Sequence, residues 1–413
     1  MNAVPVSDRE ILRELAKQVA EYAALPVMDE RRGLWKKLNA LQPERPMVVV
    51  NQIPWKEMDV DGCLTLRCEH PECREYERQF RQTVYRQTYM PDDEVVEPVI
   101  YVPKAVSGVT LGVEIMEEIL VSDENSDVHS HRFVNQFTCM EDIDKIKTPV
   151  VVHDEAETSR RLSFARELFD GVLDIREEGY SPWVYVWDAI SMWMGVENAL
   201  YALADEPELI HALVSRMTEA QMSMYDQLEE QGLLCAPQPS IHCSGAWTDE
   251  LPAEGYDPRK PRTKDIWTSG LAQMLGSVSP AMFDEFEIEP CLPLFKRFGM
   301  VYYGCCDPLD TKIDLVRKIP NLRKISASPW NDLEKFASAT GRDYVLSNKP
   351  NPAFVAFESY DDDLVRSDLL KTKEICRRYG CPLEFILKDI STVRYQPQRL
   401  WKWAKTAMET AVI

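Results

Sequence analysis

The sequence predicts an α/β fold, namely a (β/α)8 TIM-type barrel with an N-terminal extension that contains helices and strands. From residue 146 onward, short apolar or β-branched runs alternate with amphipathic helical stretches, which is typical of a parallel sheet. Most runs end in a polar cluster, as the strands of barrel enzymes do. Neither a GxGxxG after the first run nor a GxxxxGK[ST] occurs, so no motif favours an open nucleotide-binding sheet.

The region before the barrel mixes helical and extended patterns. Helical spacing over 8–42 and 76–85 flanks the strand-like run MVVVNQIP, and 98–113 is rich in β-branched residues. We therefore divide the chain into an N-terminal region, 1–145, which packs on the barrel, and the barrel itself, 146–413.

The predicted barrel strands and helices follow one another closely. The strand-like runs are 183–187, 233–235 or 240–243, 300–303, 323–325, 344–346 and 383–387. The helical stretches are 195–203, 207–231, 280–298, 309–318, 332–340, 362–379 and 397–410.

Composition narrows the range of ligands and compartments. The 413 residues carry a formal net charge of -21, which disfavours nucleic acid or an anionic membrane as a partner. No run approaches the roughly 18 apolar residues of a membrane span, and the N-terminus lacks a signal-peptide layout. We expect a soluble cytoplasmic protein whose eleven cysteines are reduced thiols, core residues or metal ligands.

The site should lie where the barrel strands end, because parallel barrels place their active sites at the carboxyl ends of the strands. The polar residues that follow the runs are Asn51, Gln52, Asp188, His242, Cys243, Tyr303, Cys305, Cys306, Asp307, Ser326, Ser328, Asn348, Lys349, Lys388 and Asp389.

Two pairs among them have metal-binding chemistry. His242-Cys243 and Cys305-Cys306 follow separate runs, and imidazole and thiolate are the ligands that zinc prefers. Three of the four around one ion, with a fourth position open, would form a catalytic zinc site. The alternative is that one cysteine of each pair is a small core residue.

The stretch SPWVYVWDAISMWMG is the most aromatic part of the chain. Its rings either fill the interior or form a flat apolar pocket with Asp188 at the rim. In the second case the substrate-binding residues are Trp183, Tyr185, Trp187, Met192 and Trp193, together with Asn51.

Two further clusters have weaker patterns. Cys63, Cys68, His70 and Cys73 match no zinc-finger spacing, so we expect buried sulfur at a loop-to-helix junction. His129 and His131 form an HxH for which a surface role is expected.

Two segments resemble a known family. The turn Gly304-Cys305-Cys306-Asp307-Pro308, with RKISASPW and SNKPNP, resembles the uroporphyrinogen decarboxylase superfamily. The element His242-Cys243-Ser244-Gly245 resembles the corrinoid-dependent methyltransferase branch, and the combination is similar to methyltransferase I of O-demethylase systems. The resemblance covers 146–413 well and the N-terminal region more loosely.

This resemblance implies a specific reaction. A methyl group would pass from a methoxylated aromatic, or a similar small donor, to the Co(I) of a separate corrinoid protein (cobalamin type). Zinc held by members of the set His242, Cys243, Cys305 and Cys306 would activate the donor. Failing zinc, a proton from Asp188, Tyr303 or Lys349 would do so, and Asp307 is a further catalytic candidate. The oligomeric state stays open, a homodimer included.

The sequence departs from the family pattern at two points. Ser244 occupies a position where zinc-dependent relatives have a thiol, and the late loop Ser347-Asn348-Lys349-Pro350 has no cysteine. A zinc site would therefore need Cys305 or Cys306. The alternatives are a metal-free lyase of the uroporphyrinogen decarboxylase type, disfavoured because VVVNQIPWKEMD contains no arginine, and a non-catalytic corrinoid-binding protein.

Overall fold

The computed structural model describes residues 4–120 and 130–413. Its strands are β1 Met47–Val50, β2 Val99–Pro103, β3 Val106–Ser107, β4 Glu117–Leu120, β5 Ser130–Phe133, β6 Val152–His153, β7 Asp174–Glu178, β8 Ser240–Ile241, β9 Ser244–Gly245, β10 Trp267–Gly270, β11 Met300–Tyr303, β12 Leu322–Ala327, β13 Val345–Asn348 and β14 Leu383–Leu387.

The helices of the same residues lie mostly between these strands. They are α1 Val6–Ala23, α2 Pro26–Asn39, α3 Pro71–Tyr89, α4 Glu155–Phe169, α5 Val186–Met194, α6 Val196–Asp205, α7 Pro207–Glu230, α8 Pro280–Phe283, α9 Glu289–Phe295, α10 Ile313–Val316, α11 Leu333–Thr340, α12 Ala353–Ala356, α13 Asp362–Tyr379 and α14 Gln398–Val412. A π-helical segment, Asp284–Ile288, joins α8 to α9.

The main sheet has six parallel strands in the order β1-β14-β13-β12-β11-β10. This confirms the predicted α/β fold with a parallel sheet. Three further pairings are also parallel: the strand pair β2-β7 and the single bridges Tyr180 to Leu234 and Val184 to Gly270. A closed eight-stranded barrel stays a prediction, as does the division at residue 145, although β1 of the N-terminal region pairs with β14.

Side-chain carboxylates accept hydrogen bonds from the backbone amides on the edge of β1 that faces away from β14. The carboxylate of Asp93 accepts a hydrogen bond from the Val48 amide at 2.8 Å, and that of Asp92 accepts from the Val50 amide at 3.3 Å. Arg45 binds Asp93 with both terminal nitrogens, at 2.6 and 2.8 Å. Among the described residues, β14 is the one strand that pairs with β1. On the other edge of β1, the two carboxylates accept from the amides that a further strand would otherwise bond.

Both faces of the main sheet are buried, which explains its continuous apolar runs. One face, including Val48, Val50 and Leu387, packs in the core formed with α7, α13 and α14. The opposite face, including Val49 and Tyr302, packs on α2 and on the β8-β9 hairpin. We call this second face the inner face. A third core joins α1, α3 and α4 to β2.

A buried ion pair crosses the inner face. Lys324 of β12 and Glu384 of β14 are both fully buried, with 2.8 Å between Nζ and Oε2. Ser244 of β9 accepts from Lys324 at 2.7 Å and donates to Glu384 at 2.8 Å. A Cβ on Gly245 would lie 2.5 Å from the Trp35 ring, so only glycine permits this approach. The ion pair therefore holds the β8-β9 hairpin against the sheet.

Most sequence predictions of single elements are confirmed, and their exceptions have physical reasons. Strands at 300–303 and 383–387 are present with those bounds. The run 183–187 is not a strand: Val184 makes one bridge and α5 begins at Val186, because Trp187, Ile190 and Met194 also fit helical spacing and are buried. Strands β7, DIREE, and β10, WTSG, were not predicted because neither segment is an apolar run.

The smaller clusters agree with their expected structural roles. Cys68 and Cys73 are buried at the start of α3, where Pro71 is the first helical residue. His131 is exposed and contacts Glu117 at 2.8 Å, whereas His129 lies outside the described residues. In the parts of the chain that the structure describes, no helix is both long and apolar enough to cross a bilayer.

We predict that Lys324→Met lowers the free energy of unfolding by about 3–5 kcal/mol, because it leaves the Glu384 carboxylate buried without its partner. The double variant Lys324→Met with Glu384→Leu should recover much of this loss. Urea unfolding measures both.

The matched control is Arg378→Ala, whose ion pair with Glu334 is about half exposed on both sides. It should cost no more than about 1 kcal/mol. A Lys324→Met variant as stable as this control would contradict the structural role of the buried pair.

Candidate active site

A cavity of about 470 Å³ lies at the carboxyl ends of the sheet strands. Seven residues from the ends of the predicted strands line it: Gln52, Asp188, His242, Cys305, Cys306, Lys388 and Asp389. Lys388 follows β14 directly, and Cys305 lies two residues beyond β11. The strands therefore bring together residues that are far apart in sequence.

The loop after β11 is shaped by its first residue. Gly304 has φ of +90°, and a Cβ there would lie 2.7 Å from Cδ1 of Leu309. Glycine is required at such an angle and at such a distance. Asp307 then accepts a hydrogen bond from the Cys305 amide at 2.9 Å, and Ser326 donates to the Cys305 carbonyl at 2.6 Å. These bonds fix the Cys305 backbone at the floor of the cavity.

The Cys305 sulfur lies in a positive environment. Lys388 donates from Nζ to Sγ at 2.8 Å, and the Cys306 sulfur is 3.6 Å away. The contact with the Cys306 side chain lowers the pKa of Cys305 most; burial opposes it, and the hydrogen bond from His242 and the charge of Lys388 add to the lowering. The pKa of Cys306 is raised, first by its bond to Cys305 and then by burial. The pair therefore holds one thiolate and one thiol.

Asp188 is a carboxyl group of the cavity whose pKa is raised toward neutrality. Burial raises its pKa to about 6, with contributions from the charges of Cys305 and Asp307 and an opposing one from Lys388. A carboxyl with such a pKa is protonated about half of the time near pH 6 and can donate its proton there. The cavity thus places an acid near a thiolate.

Strained backbone surrounds the same cavity. Gln52, His242 and Asp389 all have φ between +50° and +56° although none is glycine. Asp389 is held by its amide, which donates to Gln52 at 2.9 Å, and by Cys306, which donates to its carboxylate at 2.8 Å. Such conformations persist only where the surroundings fix them, and they concentrate at functional sites.

Several predicted site residues point elsewhere. Tyr303 faces the helices and donates its hydroxyl to Glu287 at 2.9 Å. Lys349 is buried beyond the inner face, where Nζ donates to Ser347 at 2.7 Å and to Tyr302. The Cys243 sulfur lies 3.7 Å from the Tyr302 hydroxyl. None of these three side chains lines the cavity.

Two carboxyl groups are buried behind the cavity wall. Asp307 is 2% exposed, and its Oδ2 has no hydrogen-bond partner among the described residues. Burial raises the pKa of Glu287 to about 8, against the hydrogen bonds from Tyr303 and Cys291. Sequence reasoning missed Glu287 because it lies on the π-helical segment and not at a strand end.

The predicted aromatic pocket is present only in part. Trp183 lines the cavity, with the Tyr185 ring centroid 5.2 Å from its own. Trp187 and Trp193 belong to the core, where Trp187 donates to the Phe286 carbonyl at 3.0 Å. Met192 is half-buried on α5. Because α5 begins at Val186, these side chains point in different directions, whereas the alternation of a strand predicts a common side for every second residue.

A second, larger cavity of about 790 Å³ adjoins the first. Asn51 lines it, together with Tyr76, Tyr101 and Glu178. Ser240 and His242 line both cavities, so the β8-β9 hairpin forms their common wall.

Other residues of the first cavity carried no sequence signal. Ser269 comes from β10, which was not predicted, and Gln238 donates to Ser181 at 3.2 Å within a loop. A polar residue in a loop is indistinguishable from any other surface residue until the fold places it.

The predicted zinc ligands are brought together only in part. Cys305 and Cys306 adjoin each other and His242 bonds Cys305, but Cys243 lies apart on the inner face. Within residues 4–120 and 130–413, no group of three or more His, Cys, Asp or Glu side chains is arranged to hold a metal ion. The arrangement does not fit the predicted four-residue set, and zinc stays a prediction.

Comparison with known proteins gives a fold but no family. No family model matches the chain, and no curated protein matches it. A solved structure of a methyltransferase from Methanosarcina mazei is similar, with a TM-score of 0.50 and 13% identity over 92% of this chain and 98% of that chain. At this identity the likeness concerns the fold.

We predict that Lys388→Met raises the pKa of the Cys305 thiol, because the ammonium that favours the thiolate is removed. The pH midpoint of Cys305 alkylation by iodoacetamide, followed by peptide mass spectrometry, should rise by about 1 to 3 units. The control is Lys349→Met, which removes a buried lysine bonded to Tyr302 and Ser347. An unchanged midpoint in Lys388→Met would show that the ammonium does not stabilise the thiolate.

Proposed function

We propose that this protein is a methyltransferase that moves a methyl group from a methoxylated aromatic, or a similar small O-methyl donor, to the Co(I) of a separate corrinoid protein. The observation that carries the proposal is the buried carboxyl of Asp188 in the same strand-end cavity as the Cys305-Cys306 pair, with a pKa that burial raises to about 6. The fold shared with a methyltransferase supports it.

The chemistry requires an acid because an aryl ether is a poor methyl donor: its phenoxide leaves badly. In the proposed step the Co(I) electron pair forms the new bond to the methyl carbon while the carbon-oxygen bond breaks. The electrons of that bond remain on oxygen, which takes the proton of Asp188. Solvent returns a proton to Asp188 after the phenol leaves.

The cavity suits a single-ring donor. Its volume of about 470 Å³ is in the range of small-molecule sites, and Trp183 supplies a flat apolar wall. Trp183 is 37% exposed, so its ring surface is open to a ligand. An apolar wall on one side and Asp188 on another can orient an aryl ether with its oxygen toward the acid.

The charges of the cavity disfavour the lyase alternative. A tetrapyrrole substrate carries several carboxylates and needs several cations. Of the described residues that line the cavity, Lys388 is the one Lys or Arg, and it is already bonded to Cys305, with Asp188 and Asp389 nearby. A small neutral donor fits this balance better.

Zinc would supply the same activation by a different group. It would act as a Lewis acid on the ether oxygen. Among the described residues, however, no three His, Cys, Asp or Glu side chains are arranged to hold an ion, so the proposal assigns the activation to Asp188. Metal analysis separates the two schemes: one zinc per chain, lost together with activity on chelation, would replace Asp188 as the activating group. Activity that survives chelation favours the acid.

We predict that Asp188→Asn lowers methyl transfer at least about 100-fold, because an amide cannot protonate the leaving oxygen. The assay follows the absorbance change of a Co(I) corrinoid protein with a methoxyarene. The wild-type rate should be highest below pH 6 and fall about tenfold per unit above it, since the pKa of Asp188 is raised to about 6 and its protonated form is the active one.

The control is Asp257→Asn, whose side chain is 45% exposed and does not line the cavity, and which should leave the rate unchanged. Full activity in Asp188→Asn would remove this residue from the mechanism. The absence of any corrinoid methylation with a range of methoxyarenes, by a folded protein, would refute the proposed function. Corrinoid binding that persists without turnover would favour the non-catalytic alternative.

A further inference from the structure

Cys305 and Cys306 are neighbours in sequence whose side chains meet in the same cavity. Their sulfur atoms are 3.6 Å apart. A disulfide requires the sulfurs to approach to about 2.0 Å, which is a short further movement of two side chains. Adjacent cysteines usually point apart in a strand, so this meeting depends on the turn that follows Gly304.

The two sulfurs differ in their surroundings. Cys305 is 3% exposed and accepts a hydrogen bond from the Lys388 ammonium at 2.8 Å. Cys306 is partly exposed and donates to Asp389 at 2.8 Å. The sulfur that faces the ammonium is therefore placed to attack an electrophile, and its neighbour, 3.6 Å away, is placed to resolve the product.

We propose that Cys305 and Cys306 form an oxidation site, at which a hydroperoxide converts the two thiols into a reversible vicinal disulfide that switches off the cavity. The switching part rests on the proposed function, whereas the oxidation itself does not.

The atoms and electrons of the reaction balance in two steps. The Cys305 thiolate attacks the peroxide, so that a sulfur-oxygen bond forms, the oxygen-oxygen bond breaks, and the released hydroxide takes a proton to become water. The Cys306 sulfur then attacks the Cys305 sulfenic acid: the disulfide forms, the sulfur-oxygen bond breaks, and hydroxide leaves with the Cys306 proton as a second water. Two thiols are oxidised and one peroxide is reduced.

Backbone geometry makes this disulfide easy to reduce. Consecutive Cα atoms are about 3.8 Å apart across a trans peptide, which is less than the roughly 4.4–6.8 Å of ordinary disulfides. The resulting strain raises the reduction potential, so a dithiol should reopen the bond.

Oxidation would change the cavity at two places. Lys388 would lose the thiolate that accepts its hydrogen bond, and Asp389 would lose the Cys306 donor. Both side chains line the cavity, so its charge and shape would change together.

The chain contains a matched control pair. Cys376 and Cys381 bond to each other through their side chains but are buried, at 1% and 9% exposure, and neither lines the cavity. Cys305 is equally buried but lines the cavity, so the control pair lacks the route by which peroxide reaches Cys305.

The experiment treats the full chain, with a chelator present, with about one equivalent of hydrogen peroxide, blocks remaining thiols by alkylation and analyses tryptic peptides. Peptide 298–312 contains Cys305 and Cys306 and no other cysteine. We expect this peptide to lose two hydrogen atoms, to resist alkylation, and to recover both thiols after dithiothreitol. Cys306→Ser should stop at a Cys305 sulfenic acid that dimedone traps, and Cys381→Ser should behave as the wild type.

Two results would overturn the proposal: full alkylation of both thiols after peroxide treatment, or a Cys305 sulfenic acid that persists in the wild type. The mass measurement does not depend on methyl transfer. A disulfide that forms in a protein without transferase activity would contradict the proposed function but support the oxidation site. Transferase activity that is unchanged after the disulfide has formed would contradict the switch.

Discussion

The position of the candidate site depends on the buried ion pair between Lys324 and Glu384. Through Ser244 it ties the β8-β9 hairpin to both β12 and β14, and it thereby helps to hold the turn residue His242 beside Cys305. A buried ion pair contributes little net stability, because desolvation offsets the attraction. Its value here is geometric: Ser244 bonds both partners, so the hairpin has one position on the sheet.

The same balance of burial and charge sets the chemistry of the cavity. Burial raises the pKa of Asp188 toward neutrality, whereas the contacts of Cys305 lower the pKa of its thiol in spite of burial. The pKa values of two groups that share one cavity are thereby shifted in opposite directions. Such a separation is a common physical basis for assigning an acid and an anion to different roles in one active site.

The N-terminal region completes the sheet in an uncommon way. Instead of a strand, the carboxylates of Asp92 and Asp93 satisfy the amides of β1, and arginines balance their charge. The chain that follows β1 forms α3 and β2, and residues of both elements line the larger cavity beside His242. Access to the β8-β9 hairpin from the larger cavity therefore depends on the N-terminal region rather than on the six-stranded sheet.

The sequence by itself determined the elements whose pattern is local and strong. Continuous apolar runs identified β11 and β14, and the rule that polar residues at strand ends converge identified Asp188, His242, Cys305, Lys388 and Asp389 as neighbours. Only the tertiary structure decided which of two adjacent residues faces the inner side. Tyr302 faces inward and Tyr303 faces the helices, because neighbouring side chains of a strand point to opposite faces and a shift of one residue exchanges them. The sequence likewise did not reveal that Cys243 lies apart from the other thiols. Its position follows from the turn of a hairpin that Lys324 and Glu384 hold through Ser244. These two residues are 80 and 140 positions away from Ser244 along the chain.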